Sequence, residues 1–210
     1  MQIKVISSSR EEVNDDISNV ALPSYLLHTF HHLRFLVLSD YKTVEVVFEI
    51  TTPSSKSFHN TQQPPILPDL EKLQLKGMER MSHVWKCNWN EFLILPKQQS
   101  QSSFHNLTII RMDDCHIIKY IFSPLMAELL SNLKKIYISS CDGIEEVVSN
   151  RDDEDASIYS HTTTTFFPHL DLLYFWKLTN FKCIGGGVNG ISTDIHDQLK
   201  VFFLYIQRLK

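Results

Sequence analysis

Apolar residues recur along this chain in one repeated spacing. Leu133, Ile136, Ile138 and Cys141 stand at offsets 0, 3, 5 and 8 of a single stretch. The step from offset 3 to offset 5 alternates as a strand does, so Ile136 and Ile138 are expected on one face and Tyr137 on the other. The pattern returns as Leu33-Leu36-Leu38-Tyr41, Leu70-Leu73-Leu75-Met78, Leu107-Ile110-Met112-Cys115 and Leu170-Leu173-Phe175-Leu178. The leading leucines lie 37, 37, 26 and 37 residues apart. One such unit cannot bury its own apolar face, but stacked units join their apolar offsets into a continuous interior.

That periodicity predicts an α/β leucine-rich-repeat solenoid. Parallel strands are expected on a concave face, with short helical or irregular segments and long loops on the convex side. About five repeats start near residues 30, 67, 104, 130 and 167 and fill 30–187. Residues 1–29 are expected to be an irregular lead-in, with a capping helix over Val20–Phe30. Residues 188–210 read as a degenerate sixth repeat or a tail, whose Leu199–Ile206 could form a strand. Val44–Ile50 is a β-rich continuation of the first repeat, and Met78, Met81, Val84 and Trp85 are expected to point into the core. The clearest helix follows Ser123, an N-cap candidate, with Pro124 at the first helical position and Leu125, Met126, Leu129 and Leu130 on one face. The intervals of 37 residues carry polar inserts at Thr51–Pro65, Lys97–Ser103 and Asn150–Thr165, and such insertions map to loops on one side of a solenoid. The residue three places before a leading leucine (Phe30, Leu67, Phe104, Phe167) is expected to fill the interior from the entry turn.

Charge and cysteine usage narrow the function. The formal net charge is −4 with no basic excess along the chain, so a nucleic-acid backbone is a poor partner. Cys87, Cys115, Cys141 and Cys183 form no C-x-x-C pair, and Cys115 and Cys141 share one repeat offset. This favours buried thiols in a reducing compartment, hence a cytoplasmic chain, over a disulfide framework. No apolar run is long enough for a membrane span, and the first residues do not resemble a signal peptide. His28, His31 and His32 cluster without an evident carboxylate or cysteine partner, so no metal site is expected. Asp152–Asp155 lacks the glycine and terminal glutamate of a calcium loop. Gly185-Gly186-Gly187 matches no phosphate-binding fingerprint, so no cofactor is expected. Cys115 beside His116 is a formal nucleophile and base, but neighbours on a strand face opposite ways, and a structural cysteine is favoured.

The residues between the buried offsets are left to face outward. One column is Val37, Gln74, Arg111, Tyr137 and Tyr174, and the next is Ser39, Lys76, Asp113, Ser139 and Trp176. Tyr, Trp and Arg dominate interface hot spots. The candidate protein-binding residues are therefore Arg111, Tyr137, Tyr174 and Trp176, with Gln74, Lys76, Asp113 and Ser139 beside them. The competing reading is that the three aromatic rings merely pack on one another.

Particular phrases carry a closer likeness: Phe104-His105-Asn106-Leu107, Phe122-Ser123-Pro124-Leu125, Cys141-Asp142-Gly143-Ile144-Glu145-Glu146-Val147-Val148, and Phe167-Pro168-His169-Leu170 with Phe181-Lys182-Cys183-Ile184. Over residues 22–187 the chain resembles the C-terminal repeats of plant intracellular resistance proteins of the coiled-coil, nucleotide-binding type, especially the lettuce-like cluster. The resemblance implies a non-catalytic module that recognises a pathogen effector, a guarded host protein or a resistance-protein domain, and that is a monomer on its own. The sequence contains no P-loop. Two alternatives stay open: a leucine-rich substrate adaptor of a ubiquitin ligase, for which residues 1–29 are short and polar, and a non-functional truncated paralogue.

Overall fold

The computed structural model describes residues 2–6, 19–27, 29–50, 65–87, 103–149, 166–185 and 201–205. Its strands stack in two layers. The front layer is one sheet of seven strands, β1 (Gln2–Ile6), β3 (Phe35–Ser39), β5 (Lys72–Lys76), β7 (Ile109–Asp113), β9 (Lys135–Ser139), β11 (Leu172–Trp176) and β13 (Val201–Tyr205), in that order and all parallel. The back layer holds two sheets of three parallel strands. One orders β2 (Val20–Leu22), β4 (Val46–Ile50) and β6 (His83–Cys87). The other orders β8 (Tyr120–Phe122), β10 (Glu146–Val148) and β12 (Cys183–Gly185).

The repeated offsets explain this stacking. In each repeat the leading leucine donates its N–H to the carbonyl three residues earlier: Leu33 to Phe30, Leu70 to Leu67, Leu107 to Phe104, Leu133 to Leu130 and Leu170 to Phe167. The strand then alternates between half-buried and buried residues, as in Phe35–Ser39 and Ile109–Asp113. Ile136 and Ile138 are fully buried and Tyr137 is half-buried, so the expected faces hold. At the strand exit each repeat places one residue at positive φ: Asp40, Gly77, Asp114, Ser140 and Lys177. The first four of these N–H groups extend the ladder, reaching the carbonyls of Lys76, Asp113, Ser139 and Trp176. Cys115 and Cys141, one residue further on, are wholly buried.

Between the layers an aromatic spine crosses the repeats. Phe48 meets Phe104 at 5.5 Å and Trp85 at 6.0 Å, Trp85 stacks on Phe122 at 5.2 Å, and Phe122 meets Phe167 edge-on at 4.9 Å. Leu67, Phe104 and Phe167 fill the interior from the entry turn, whereas Phe30 is only partly buried.

Two expectations are corrected and one is extended. Beside the short helices expected on the convex side, the back layer carries paired strands, of which β4 lies in the segment read as β-rich, Val44–Ile50. Its segments are rich in β-branched and aromatic residues, and register with the preceding repeat supplies backbone partners: Glu45 and Val46 donate to Asn19, Ser82 and His83 to Glu45, and Lys182 and Cys183 to Glu145. Val20–Phe30 does not form one helix. It gives β2 and then a single turn, α1 (Ser24–Leu27), because Pro23 pushes Leu22 toward extended backbone. The lead-in is also not wholly irregular, since β1 adds a strand beside β3 with Ile3 in register with Leu36 and Val5 with Leu38. Its partner at the far edge is β13, within the segment read as a degenerate repeat or tail.

The helix α2 (Pro124–Leu129) forms as its sequence indicates. The Ser123 hydroxyl accepts from the Met126 N–H at 3.3 Å, and Pro124, Leu125, Met126 and Ala127 are buried. The three polar inserts lie almost wholly outside the described residues; Pro65, at the end of one, and Ser103, at the end of another, are described. Ser103 is buried and accepts from the Ile66 N–H at 3.0 Å. No described helix is long and apolar enough to cross a membrane.

Candidate protein-binding surface

The outward side of the front sheet carries both expected columns in register. Strand pairing sets Val37 beside Gln74, Gln74 beside Arg111, Arg111 beside Tyr137 and Tyr137 beside Tyr174. The next column runs Ser39, Lys76, Asp113, Ser139 and Trp176. Neighbouring parallel strands sit about 4.8 Å apart, so adjacent members of a column lie side by side.

Their contacts make a pre-set surface. The Arg111 guanidinium carbon lies 4.9 Å from the centre of the Tyr137 ring, a cation–π contact that holds the planar fork against one face of the ring. Tyr137 in turn packs on Tyr174 at 6.1 Å with the rings tilted by 47°. In the second column the Ser139 hydroxyl donates to Asp113 Oδ1 at 2.6 Å. Trp176 is 39 % exposed, and of the large hydrophobics open to solvent among the described residues (Tyr25, Ile117 and Trp176) it alone lies on a front strand. The rings of Tyr137 and Tyr174 do pack along the sheet, and the stack they form with Arg111 is itself on the outward side.

A third outward column was passed over in the sequence. It runs Phe35, Lys72, Ile109, Lys135 and Leu172 in register. The signal was present, because each residue stands two places after a leading leucine, on the same strand face as the two columns already read.

Other candidates fall into structural roles. His32, which showed no carboxylate partner in sequence, places Nδ1 3.2 Å from Asp69 Oδ2 of the following repeat; His28 lies outside the described residues. Among the described residues no group of three or more His, Cys, Asp or Glu side chains is placed to hold a metal. His116 turns away from Cys115 and sets Nδ1 3.5 Å from Asp142 Oδ2. Cys115 is wholly buried; its thiol donates to the Asp113 carbonyl and its N–H to Cys141 Sγ, both at 3.4 Å. A thiol–thiol hydrogen bond with Cys115, together with burial, pushes the Cys141 thiol well above the usual range, outweighing the Cys115 N–H, which acts the other way. All four cysteines are free thiols.

A groove of about 440 Å³ opens in the back layer where β6 and β8 come side by side without joining one sheet. Edge-on His83 and Tyr120, 6.1 Å apart, bridge it. Trp85 Nε1 and Ser149 Oγ line the same region and are buried without a hydrogen-bond partner among the described residues.

A family model described as plant disease resistance protein RPS2-like, leucine-rich repeats, matches residues 12–99 and again 90–188. No curated protein and no solved structure matches this chain.

Proposed function

Because the chain belongs to the RPS2-like leucine-rich-repeat family of plant disease resistance proteins, we propose that it is a non-catalytic recognition module of plant defence. It binds a protein through the open side of the front sheet, in the cytoplasm and as a monomer. The partner is a pathogen effector, a guarded host protein or a nucleotide-binding domain of a resistance protein. Kinship with the coiled-coil, nucleotide-binding resistance proteins of the lettuce-like cluster is part of this reading. The observation that carries it is the Arg111–Tyr137–Tyr174 stack beside exposed Trp176. Rigid aromatic side chains and a pre-oriented arginine offer contact area at small entropic cost.

The test is capture from infected and uninfected plant tissue with the chain and with a variant bearing Ala at Arg111, Tyr137, Tyr174 and Trp176. The variant is expected to unfold as cooperatively as the parent, because its changes lie outside the core, and to lose the captured protein. Capture that survives all four substitutions would refute the assignment.

A further inference from the structure

The open side of the front sheet is cationic although the chain is acidic. Counting the three outward columns of β3, β5, β7, β9 and β11, the cations are Lys72, Lys76, Arg111 and Lys135, against one carboxylate, Asp113. The whole chain carries 20 Lys and Arg against 24 Asp and Glu. The absence of any basic excess along the sequence therefore does not carry over to this face: folding collects positive charge that is dispersed in the chain.

The charge is also unevenly placed. On the exit half of the strands Lys76 stands in register with Asp113, and Asp40 and Asp114 follow in the exit turns. On the entry half Lys72 and Lys135 flank Ile109, and Arg111 lies two residues further along β7. Of the two carboxylates that immediately precede front strands, Glu71 and Asp171, the first is engaged by Arg34 at 2.6 Å. With strands about 4.8 Å apart and about 3.3 Å of rise per residue, the three cations form a triangle with edges of roughly 8–10 Å. Beside it, across Tyr137, lie Tyr174 and Trp176.

Resting on the reading that this face binds a protein, we infer that its partner presents an acidic segment. Two or three clustered carboxylates sit over Lys72, Arg111 and Lys135, and an apolar or aromatic side chain lands on Tyr174 and Trp176. The Arg111 fork, held flat by Tyr137, suits bidentate capture of a carboxylate. A nucleic-acid backbone fits less well, since its affinity comes from many phosphate contacts, whereas this triangle is small and Asp113 stands on the same face.

The test uses the full chain and four fluorescent probes in equilibrium binding at low and high salt. They are a short peptide with Asp and Glu clustered around one Trp, its Asn/Gln counterpart, its Lys counterpart and a single-stranded RNA oligonucleotide. The acidic peptide is expected to bind best and to weaken with salt. K72E/K135E is expected to weaken it about tenfold or more, while K86E/K119E, the same charge change on the back layer, leaves it unchanged. Equal binding of the neutral peptide, tighter binding of RNA, or no binding by any probe would each overturn the inference. Capture from plant tissue separates the two claims. A captured protein lost in the four-alanine variant but kept in K72E/K135E leaves the face assigned and removes the acidic partner. One kept in both variants removes the face as well.

Discussion

The front and back layers come from the same repeats and both pair as parallel strands, yet bury their side chains differently. Each fully described front strand alternates, so every second residue is open to a partner. Back strands β4 and β10 instead bury consecutive residues: Val46, Val47 and Phe48 in β4, and all of Glu146, Val147 and Val148 in β10. Helix α1 packs against β4 and α2 against β8, which accounts for part of this two-sided burial. The front layer thus has positions the core does not claim, and these hold the Arg111 stack and the cationic triangle. In β4 and β10 almost none are to spare, Glu49 alone being less than buried. Continuity differs too, since the front sheet runs unbroken through seven strands while the back layer divides between β6 and β8.

This contrast can be broken experimentally, and the harshest place is the turn that joins the layers. A Cβ at Gly143 would lie 2.2 Å from the His116 carbonyl oxygen and 2.7 Å from that of Ile118. Both are backbone atoms of the preceding repeat, so Gly143→Ala should destabilise by about 3 kcal/mol or more, read by thermal or urea unfolding. At Gly77, with φ +58°, the added Cβ would meet the Asp40 side chain at 2.6 Å, and that side chain can swing aside. Gly77→Ala is accordingly expected to cost less, about 1–2 kcal/mol for the left-handed backbone.

Within a single strand the two faces should separate cleanly. Leu133→Ala and Ile136→Ala remove fully buried groups and should each cost about 2–5 kcal/mol. Tyr137→Ala, between them and half-buried, should cost about 1 kcal/mol, chiefly its contact with Arg111. A larger loss at Tyr137 than at Ile136 would mean that the stack serves the fold and not a partner. The thiols give a reading without mutation. A maleimide applied to the native chain should modify Cys87 and Cys183, which are part-exposed, and spare Cys115 and Cys141 until unfolding. The smallest expected effect is in the back groove. Ser149→Ala removes a buried hydroxyl that has no partner among the described residues and should be neutral or stabilising by up to about 1 kcal/mol.

Most of the core was legible because burial at offsets 0, 3 and 5 follows from local alternation, and Leu107, Ile110 and Met112 are all wholly buried as that pattern demands. Positions of the eight candidate surface residues followed from the same rule. The third column obeys it too, but it stands before the offset-3 residue (Leu36, Leu73, Ile110, Ile136, Leu173), outside the alternating pair that marks each strand. The strand β1 was harder to see, since Gln2–Ile6 has apolar alternation at Ile3 and Val5 but no leading leucine.

The sequence by itself determined which residues of the leucine-led strands turn inward, because this depends on side-chain periodicity over a few residues. Only the tertiary structure decided what those outward residues meet. That Arg111 lies over Tyr137, that Lys72 and Lys135 converge on one side of Ile109, and that the return segments pair as strands all depend on hydrogen bonds between residues 25 to 38 positions apart. Charges far apart along a chain become neighbours only when parallel strands bring them to about 4.8 Å per step.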